Sequence, residues 1–392
     1  MTQEPNIFPY IARLLQGAEV VWKPLGEVAE IKTGQTVSKN IIAENTGNYP
    51  VINSGREPLG FINTWNTDND PIGITSRGAG VGSVTWQEGK YFRGNLNYSV
   101  SIHDSSILDT RFLYHLLLQM QIDIQSLCTF QGIPALNAAN LKKLPIPLPP
   151  LSVQQEIVRI LDKFTQLEAE LEAELDCRKR QYEYYRNKLL SYEGNEVEWK
   201  TLGEVGSFIR GNGLQKKDLI TSGVPAIHYG QIYTYYGVSA EQTISFVSPE
   251  TAKGLRKVDY GDVIITNTSE NIDDVGKAVA YCVKEQGVTG GHATIFKPSE
   301  KIIGKYLVYY TQTTKFSNQK RKYAKGTKVI DISANDLTKI TIPLPPLSEQ
   351  QRIANILDKF DTLVNSISEG LPKEIALRRK QYEYYRERLL SF

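Results

Sequence analysis

The sequence predicts an α+β chain. Two globular segments are joined by two long antiparallel coiled-coil helices, and the whole forms a pseudo-two-fold internal repeat. Three observations predict it. The hexapeptide QYEYYR occurs at 181–186 and again at 381–386. LKKLPIPLPPLSVQQEIVRILDKF (141–164) matches LTKITIPLPPLSEQQRIANILDKF (337–360). VVWKPLGEVAEIKTG (20–34) matches VEWKTLGEVGSFIRG (197–211), with Trp22 against Trp199 and Gly34 against Gly211.

The offset between copies is 177 residues at the WK block, 196 at the PLPPLS block and 200 at the hexapeptide. Length therefore varies between the shared blocks and not within them. YIARLL (10–15) resembles YYRNKLL (184–190), so the N-terminal segment belongs to the pattern. The order is variable, shared, variable, shared. It divides the chain into a segment completing the repeat (1–19), a first globular domain (20–147), a first helix (148–194), a second globular domain (195–343) and a second helix (344–392).

Each shared block reads as an extended, proline-stiffened approach to a long helix, with Ser152 and Ser348 as candidate N-caps. Behind Ser152, Val153, Ile157, Ile160, Phe164, Leu167 and Leu171 alternate steps of four and three, the spacing of a coiled-coil seam. The seam resumes at Leu175 and passes through Tyr182, Tyr185 and Leu189. The second copy runs Ile353, Ile356, Phe360, Leu363, Ile367, then Leu371, Ile375, Tyr382, Tyr385 and Leu389. Neither helix can bury its stripe alone, so each is expected to pair with the other, antiparallel. EAEL stands in tandem at 168–175, all strong helix formers. Gly370 and Pro372 in the second copy predict a break. At this spacing Tyr182, Tyr185, Tyr382 and Tyr385 read as packing residues. The basic triplet beside them (Arg178, Lys179, Arg180) has two open readings, a solvated face or a docking and phosphate-facing surface.

The variable segments carry short strand-like runs (YPVIN, PIGITS, GSVTW; then VPAIHY, DVIITN, AVAYCV) between Gly-, Asn- and Asp-rich turns. A helix-like stretch follows in each, DTRFLYHLLLQM and GKYLVYYTQTTKF. Their loops hold the candidate nucleic-acid contacts. In the first segment these are Lys32, Gln35, Lys39, Arg56, Arg77, Arg93 and Asn95; Arg77 sits in SRGAGVGSVTW, whose glycines read as a tight hairpin rather than a dinucleotide fingerprint. In the second they are Arg210, Asn212, Lys216, Lys217, Tyr229, Gln231, Asn267, Ser269 and Glu270. To these KFSNQKRKYAKGTK (315–328) adds Lys320, Arg321, Lys322, Lys325 and Lys328, with no acid in the stretch. The matching first-segment stretch, IQSLCTFQGIPALN, has no charge at all.

Composition narrows the function. Net charge is +2, so any basic surface comes from local clustering. The three cysteines (Cys128, Cys177, Cys282) form no CxxC, and the four histidines lack ligand spacing, which argues against a disulfide framework or a zinc site. The N-terminal residues lack a signal-peptide pattern, and FLYHLLLQM is too short to span a bilayer. A cytoplasmic chain is expected, with no membrane partner. There is no GxxxxGKS phosphate loop, no Asn-Pro-Pro-aromatic tetrapeptide, no nuclease carboxylate–lysine cluster and no readable triad. The chain reads as non-catalytic.

On the WKxLGEV, IPLPPLSxQQ and ILDKF blocks, the tandem EAEL and the doubled QYEYYR, the whole chain resembles the specificity (S) subunit of type I restriction–modification enzymes. The tandem tetrapeptide and the SISEGLPKEI…RRKQYEYYR ending are similar to the type IC branch. The resemblance implies that each variable segment is a target-recognition domain reading one half of an asymmetric split sequence in double-stranded DNA. It implies that the paired helices set the gap and dock two methylation subunits, with restriction subunits in the full complex. It implies no cofactor bound directly, with S-adenosylmethionine, ATP and magnesium on the partner subunits. The alternative is a coiled-coil scaffold for proteins without sequence-specific DNA binding.

Overall fold

The computed structural model describes residues 8–55, 57–192 and 197–392. Along it run α1 (Pro9–Leu15), α2 (Thr110–Gln119), α3 (Leu151–Ser191), α4 (Gly304–Thr311), α5 (Thr314–Tyr323), α6 (Leu347–Asn365) and α7 (Leu371–Leu389), with shorter turns of helix between. Two compact units form, and they do not follow the linear order of the repeat. One comprises Met1–Glu172 with Glu374–Phe392; the other is Ala173–Lys373.

Each unit is closed by the blocks it shares with the other. In the first, strand Val21–Pro24 pairs antiparallel with Pro145–Leu148, placing Trp22 opposite Pro147. In the second, Glu198–Thr201 pairs with Thr341–Leu344, placing Trp199 opposite Pro343. The two ends of each variable segment are thus hydrogen-bonded to one another, which is why conserved sequence brackets variable sequence. The LGEV turn after the ribbon packs tightly at its glycine: a Cβ on Gly26 would lie 2.9 Å from the Lys142 Cβ, and one on Gly203 3.0 Å from the Thr338 Cβ.

Within the first unit a four-stranded antiparallel sheet has the order Ala29–Thr33, Asn97–Ile102, Ile72–Thr75, Val84–Trp86. A second small sheet is built on Thr46–Ile52 and Lys90–Arg93, which run parallel. The second unit has a five-stranded sheet centred on Val263–Thr266 and a four-stranded sheet centred on Val224–Ile227 and Gly287–Thr289. All six strand-like runs and the first helix-like stretch expected from sequence lie in these elements; the second stretch breaks at Gln312–Thr313, where Thr313 caps α5, and so divides between α4 and α5. Ile72, Ile74, Val100, Phe112 and Leu116 fill the first core; Val263, Ile265, Tyr306 and Phe316 fill the second.

The helices depart from expectation in two places. Ser152 and Ser348 are not N-caps: α3 starts at Leu151 and α6 at Leu347, and the serines lie exposed in the first turn. Proline stands at the N-cap position instead, Pro346 making no side-chain capping bond, and the first helical bonds run from Gln154 N–H to Pro150 O (3.1 Å) and from Gln350 N–H to Pro346 O (3.0 Å). A proline before the helix has the fixed φ needed and no N–H to satisfy. The second helix breaks, as Gly370 and Pro372 predict, over Ser366–Gly370. A Cβ at Gly370 would lie 2.3 Å from the Thr362 carbonyl oxygen. Ile367, expected on the seam, is 85% exposed in that break.

The fully buried helical stripe is also one residue off the expected one. Leu161 and Leu357 are sealed, whereas Ile160 and Ile356 are half-buried. These first turns pack against a globular segment as well as a helix, so the apolar face widens beyond a two-helix seam. Phe164, Leu167, Leu171, Leu175 and Leu363 are half-buried, and Ile157 and Ile353 buried.

The two hexapeptides divide between the units. In the second unit Tyr182 and Tyr185 stack on Phe360, with ring centroids 6.1 and 5.6 Å apart. In the first, Tyr385 stacks on Phe164 at 5.2 Å. Within the first unit Phe164 meets Tyr385 while Glu168 and Glu172 meet Arg379, so residue numbers rise on one helix as they fall on the other and the pairing is antiparallel. Tyr185 and Tyr385 keep one face to solvent, at 38% and 37% exposed, so they lid the seam rather than fill it.

Two buried latches repeat. The Gln154 amide donates to Ile107 O and Pro149 O and accepts from Asp109 N–H, each at 2.8 Å. The Gln350 amide makes the same three bonds with Lys301 O, Pro345 O and Ile303 N–H, each at 2.9 Å. The aspartate of ILDKF is bound by the helix that precedes it. Asp162 accepts from Arg111 (2.7 Å) and lies 2.8 Å from His115 Nε2; Asp358 accepts from Lys305 (3.1 Å) and Tyr309 Oη (2.5 Å). Burial pushes the His115 pKa down despite Asp162, which keeps the ring neutral. Its Nε2–H then faces Asp162 while Nδ1 accepts from the Tyr382 hydroxyl at 2.9 Å.

Candidate nucleic-acid interface

In the first unit, Lys32 and Gln35 are exposed at the end of strand Ala29–Thr33. They line a cleft of about 320 Å³ whose wall also carries Asn66, Asp68 and Asp70. Lys32 is paired with Glu30 at 2.7 Å. Lys39 is exposed at the start of a helical turn capped by Ser38, and Asn95 is half-buried. Arg77 is exposed and pairs through its backbone with Ala135. Arg56 lies outside the described residues.

Arg93 is not a surface reader. It is 3% exposed and donates through Nη1 to Ile72 O (3.1 Å), Asn97 Oδ1 (2.6 Å) and Tyr98 O (3.0 Å). Its Nη2 donates to Asp70 O (2.6 Å) and to the Tyr91 hydroxyl. The guanidinium organises the strands behind the cleft.

The second unit concentrates its candidates more tightly. Tyr229 lies between His228 and His292, at 4.5 and 4.8 Å between ring centroids. His292 Nδ1 meets Thr268 Oγ1 at 2.9 Å, and Thr268–Ser269 pairs antiparallel with Ile330–Asp331. Arg210 reaches the same place, donating to Gly291 O at 3.1 Å and lying 3.9 Å from Asp331. Lys325 and Lys328 stand exposed on the turn leading into Asp331, and Glu270 is exposed after Ser269. Lys216 and Lys217 are exposed on a 3₁₀ turn. Burial beside His292 pushes the His228 pKa down.

Four of the expected contacts have structural work instead. Asn267 is fully buried, bonding Ile332 O (3.2 Å) and Thr294 Oγ1 (2.8 Å). Asn212 ties Gly254 O to Arg256 N–H. Gln231 caps its own helical turn at the His228 N–H and donates to Ser245. Lys320 is 5% exposed with Nζ donating to Asp273 O at 2.9 Å, while its neighbour Arg321 pairs with the Asp273 carboxylate at 2.6 Å. The acid-free run thus splits by helix phase: Lys320 follows Phe316 by four residues onto the buried face of α5, and Lys322 stays exposed. His292 and Thr268 were not anticipated as site residues; the GGH at 290–292 was the one signal for His292 in the sequence.

Burial pushes the Lys320 pKa down to about 8, with the Asp273 charge resisting. In the unfolded chain a lysine titrates near 10.4. The folded form therefore disfavours the charge, a cost fully present below about pH 8 and relieved as pH rises to about 10.4. Lys320→Met is expected to raise stability by about 1–2 kcal/mol at pH 7, after the lost bond to Asp273 is subtracted. Melting curves of both proteins should converge between pH 8 and 10; a constant difference across that range would sink the assignment.

Two closed α+β units, each exposing an unlike set of polar and basic loops, define a protein with two separate recognition surfaces. Comparison gives the family. The model of the type I restriction modification DNA specificity domain matches residues 18–176 and 195–377. The chain is 34% identical to the EcoR124I/EcoR124II specificity subunit of Escherichia coli, over 98% of this chain and 97% of that one. In fold it is similar to the type I S subunit of M. genitalium, with a TM-score of 0.60 at 18% identity over 100% and 98% of the two chains. A chain from a structural study of type I complex assembly gives a TM-score of 0.58 at 17% identity, over 95% and 98%. The chain belongs to the type I restriction–modification specificity subunits, with two DNA-recognition domains. No described helix is long and apolar enough to cross a membrane.

Proposed function

We propose that each unit reads one half of an asymmetric, bipartite DNA sequence, that α3 sets the gap between the halves, and that the paired helices dock two methylation subunits. One observation carries this reading. The two units share their closing ribbon and glutamine latch yet expose different loop chemistry. A common frame suits identical partners, and unlike loops suit unlike half-sites. Restriction subunits join the full assembly, in the compartment where the DNA lies. S-adenosylmethionine, ATP and magnesium belong to those partner subunits, where the chemistry is done. The tandem EAEL supports the type IC branch.

The test is modified-base sequencing of DNA from cells co-expressing this chain with its methylation subunit, against cells lacking the chain. The expected result is adenine methylation in a split motif with unlike halves and a fixed gap. Chain-independent methylation, or a palindromic motif, would count against the reading.

A further inference from the structure

The two units carry equivalent hairpins that no shared sequence block announces. In the first, Cys128–Thr129 pairs with Ala135–Leu136 around a five-residue turn, 130–134. In the second, Lys325 pairs with Asp331 around a five-residue turn, 326–330. A short helix follows each, capped by Asn137 and by Ser333, at the same 196-residue offset as the PLPPLS block. Each hairpin is anchored by one buried aliphatic, Leu136 at 3% and Ile332 at 0% exposed. Each is also tied to the loop after a central strand, by Arg77 to Ala135 and by Thr268 to Asp331.

Equal length and register put Ile133 and Val329 at the same place on the two turns. Both point outward, 69% and 60% exposed, and Phe130 adds a ring at 65% in the first unit. The rest of each turn differs. Phe130–Gln131–Gly132 carries no charge, whereas Gly326–Thr327–Lys328 is basic and follows Lys325.

A repeated exposed aliphatic asks for a partner surface. Two candidate partners touch both units, duplex DNA and the pair of methylation subunits. Identical subunits need the same surface twice, and these turns are unlike in charge and aromaticity. Two unlike half-sites fit that difference. The surroundings have the matching charge: Arg77 is exposed beside the first hairpin, and Lys325, Lys328 and Arg210 lie at the second.

We propose that both hairpin tips enter a DNA groove, where Ile133 and Val329 make apolar contact with base edges, a thymine methyl being the natural target, while the flanking cations hold phosphates. Phe130 enlarges the apolar contact in the first half-site only. The proposal rests on the two-headed DNA-reading assignment and names where each head reads.

The experiment uses the chain co-expressed with its methylation subunit, with motifs mapped for wild type, Ile133→Ala, Ile133→Asp and Val329→Ala. Wild type must first show a split motif; its absence would count against the underlying reading, separately from this one. Ile133→Ala is expected to relax the base preference in one half, and Val329→Ala in the other. Ile133→Asp should cut methylation of the wild-type sites roughly tenfold or more. Because these side chains are exposed, melting temperatures should stay unchanged. Variants that methylate the same motif at the wild-type rate would overturn the proposal. So would loss of the co-purifying methylation subunit, which would make the tips protein-docking elements.

Discussion

Arg93→Ala is expected to destabilise the first unit by about 3–5 kcal/mol, because it removes one partner from a buried, hydrogen-bonded charge site. Five acceptors lose their donor together: the carbonyls of Asp70, Ile72 and Tyr98, the Asn97 amide oxygen and the Tyr91 hydroxyl. Those groups come from strands Ile72–Thr75, Asn97–Ile102 and Lys90–Arg93 and from Asp70 just before the first of these, so the loss loosens the sheet at its centre. For a unit of this size the melting point should fall by roughly 10 °C. Arg93→Lys keeps the charge but cannot fork to so many acceptors, so it should sit between the two. The measurement also separates roles. A DNA-contacting arginine would lose methylation with its melting curve intact, as expected for exposed Arg77; Arg93→Ala melting like wild type would refute the structural role.

Those two arginines show where sequence reading ends. Both stand beside a glycine, and nothing within a few residues says that one guanidinium is surrounded by carbonyls and the other by solvent. Burial there is decided by strands twenty residues away, Asp70 and Ile72 against Arg93. The frame was legible for the opposite reason. Trp22, the proline run, Gln154 and Asp162 recur with Trp199, its prolines, Gln350 and Asp358, because two structurally identical jobs demand the same residues twice. The helix break was legible too, since Gly370 is required by a local clash. Seam phase was less so: the heptad steps favoured Ile160, but packing against the globular segment buries Leu161 as well. Lys320 was readable in hindsight, four residues beyond Phe316 on an amphipathic helix. The hairpin tips were not, because register at a turn depends on the loop geometry.

Inserting a third EAEL after Leu175 is expected to widen the gap in the methylated motif by one to two base pairs and leave both half-sites unchanged. Four residues lengthen α3 by about 6 Å, and DNA rises about 3.4 Å per base pair. Four residues also turn the helix only about 40° beyond a full revolution, so the leucine of the new tetrapeptide stays near the stripe that Leu171 and Leu175 define. The structure shows how the tandem is held on the first unit's side. Arg379 forks between Glu168 and Glu172, the same position of successive tetrapeptides, at 2.5 Å to each. That contact lies N-terminal to the insertion and is kept. A two-residue insertion at the same point is the control, since it rotates everything beyond it by about 200° and presents charged residues to the seam. It should abolish methylation instead of changing the gap. If the tetrapeptide insertion left the gap as it was, α3 would not be the ruler, and the spacing would have to be set by the subunits docked upon it.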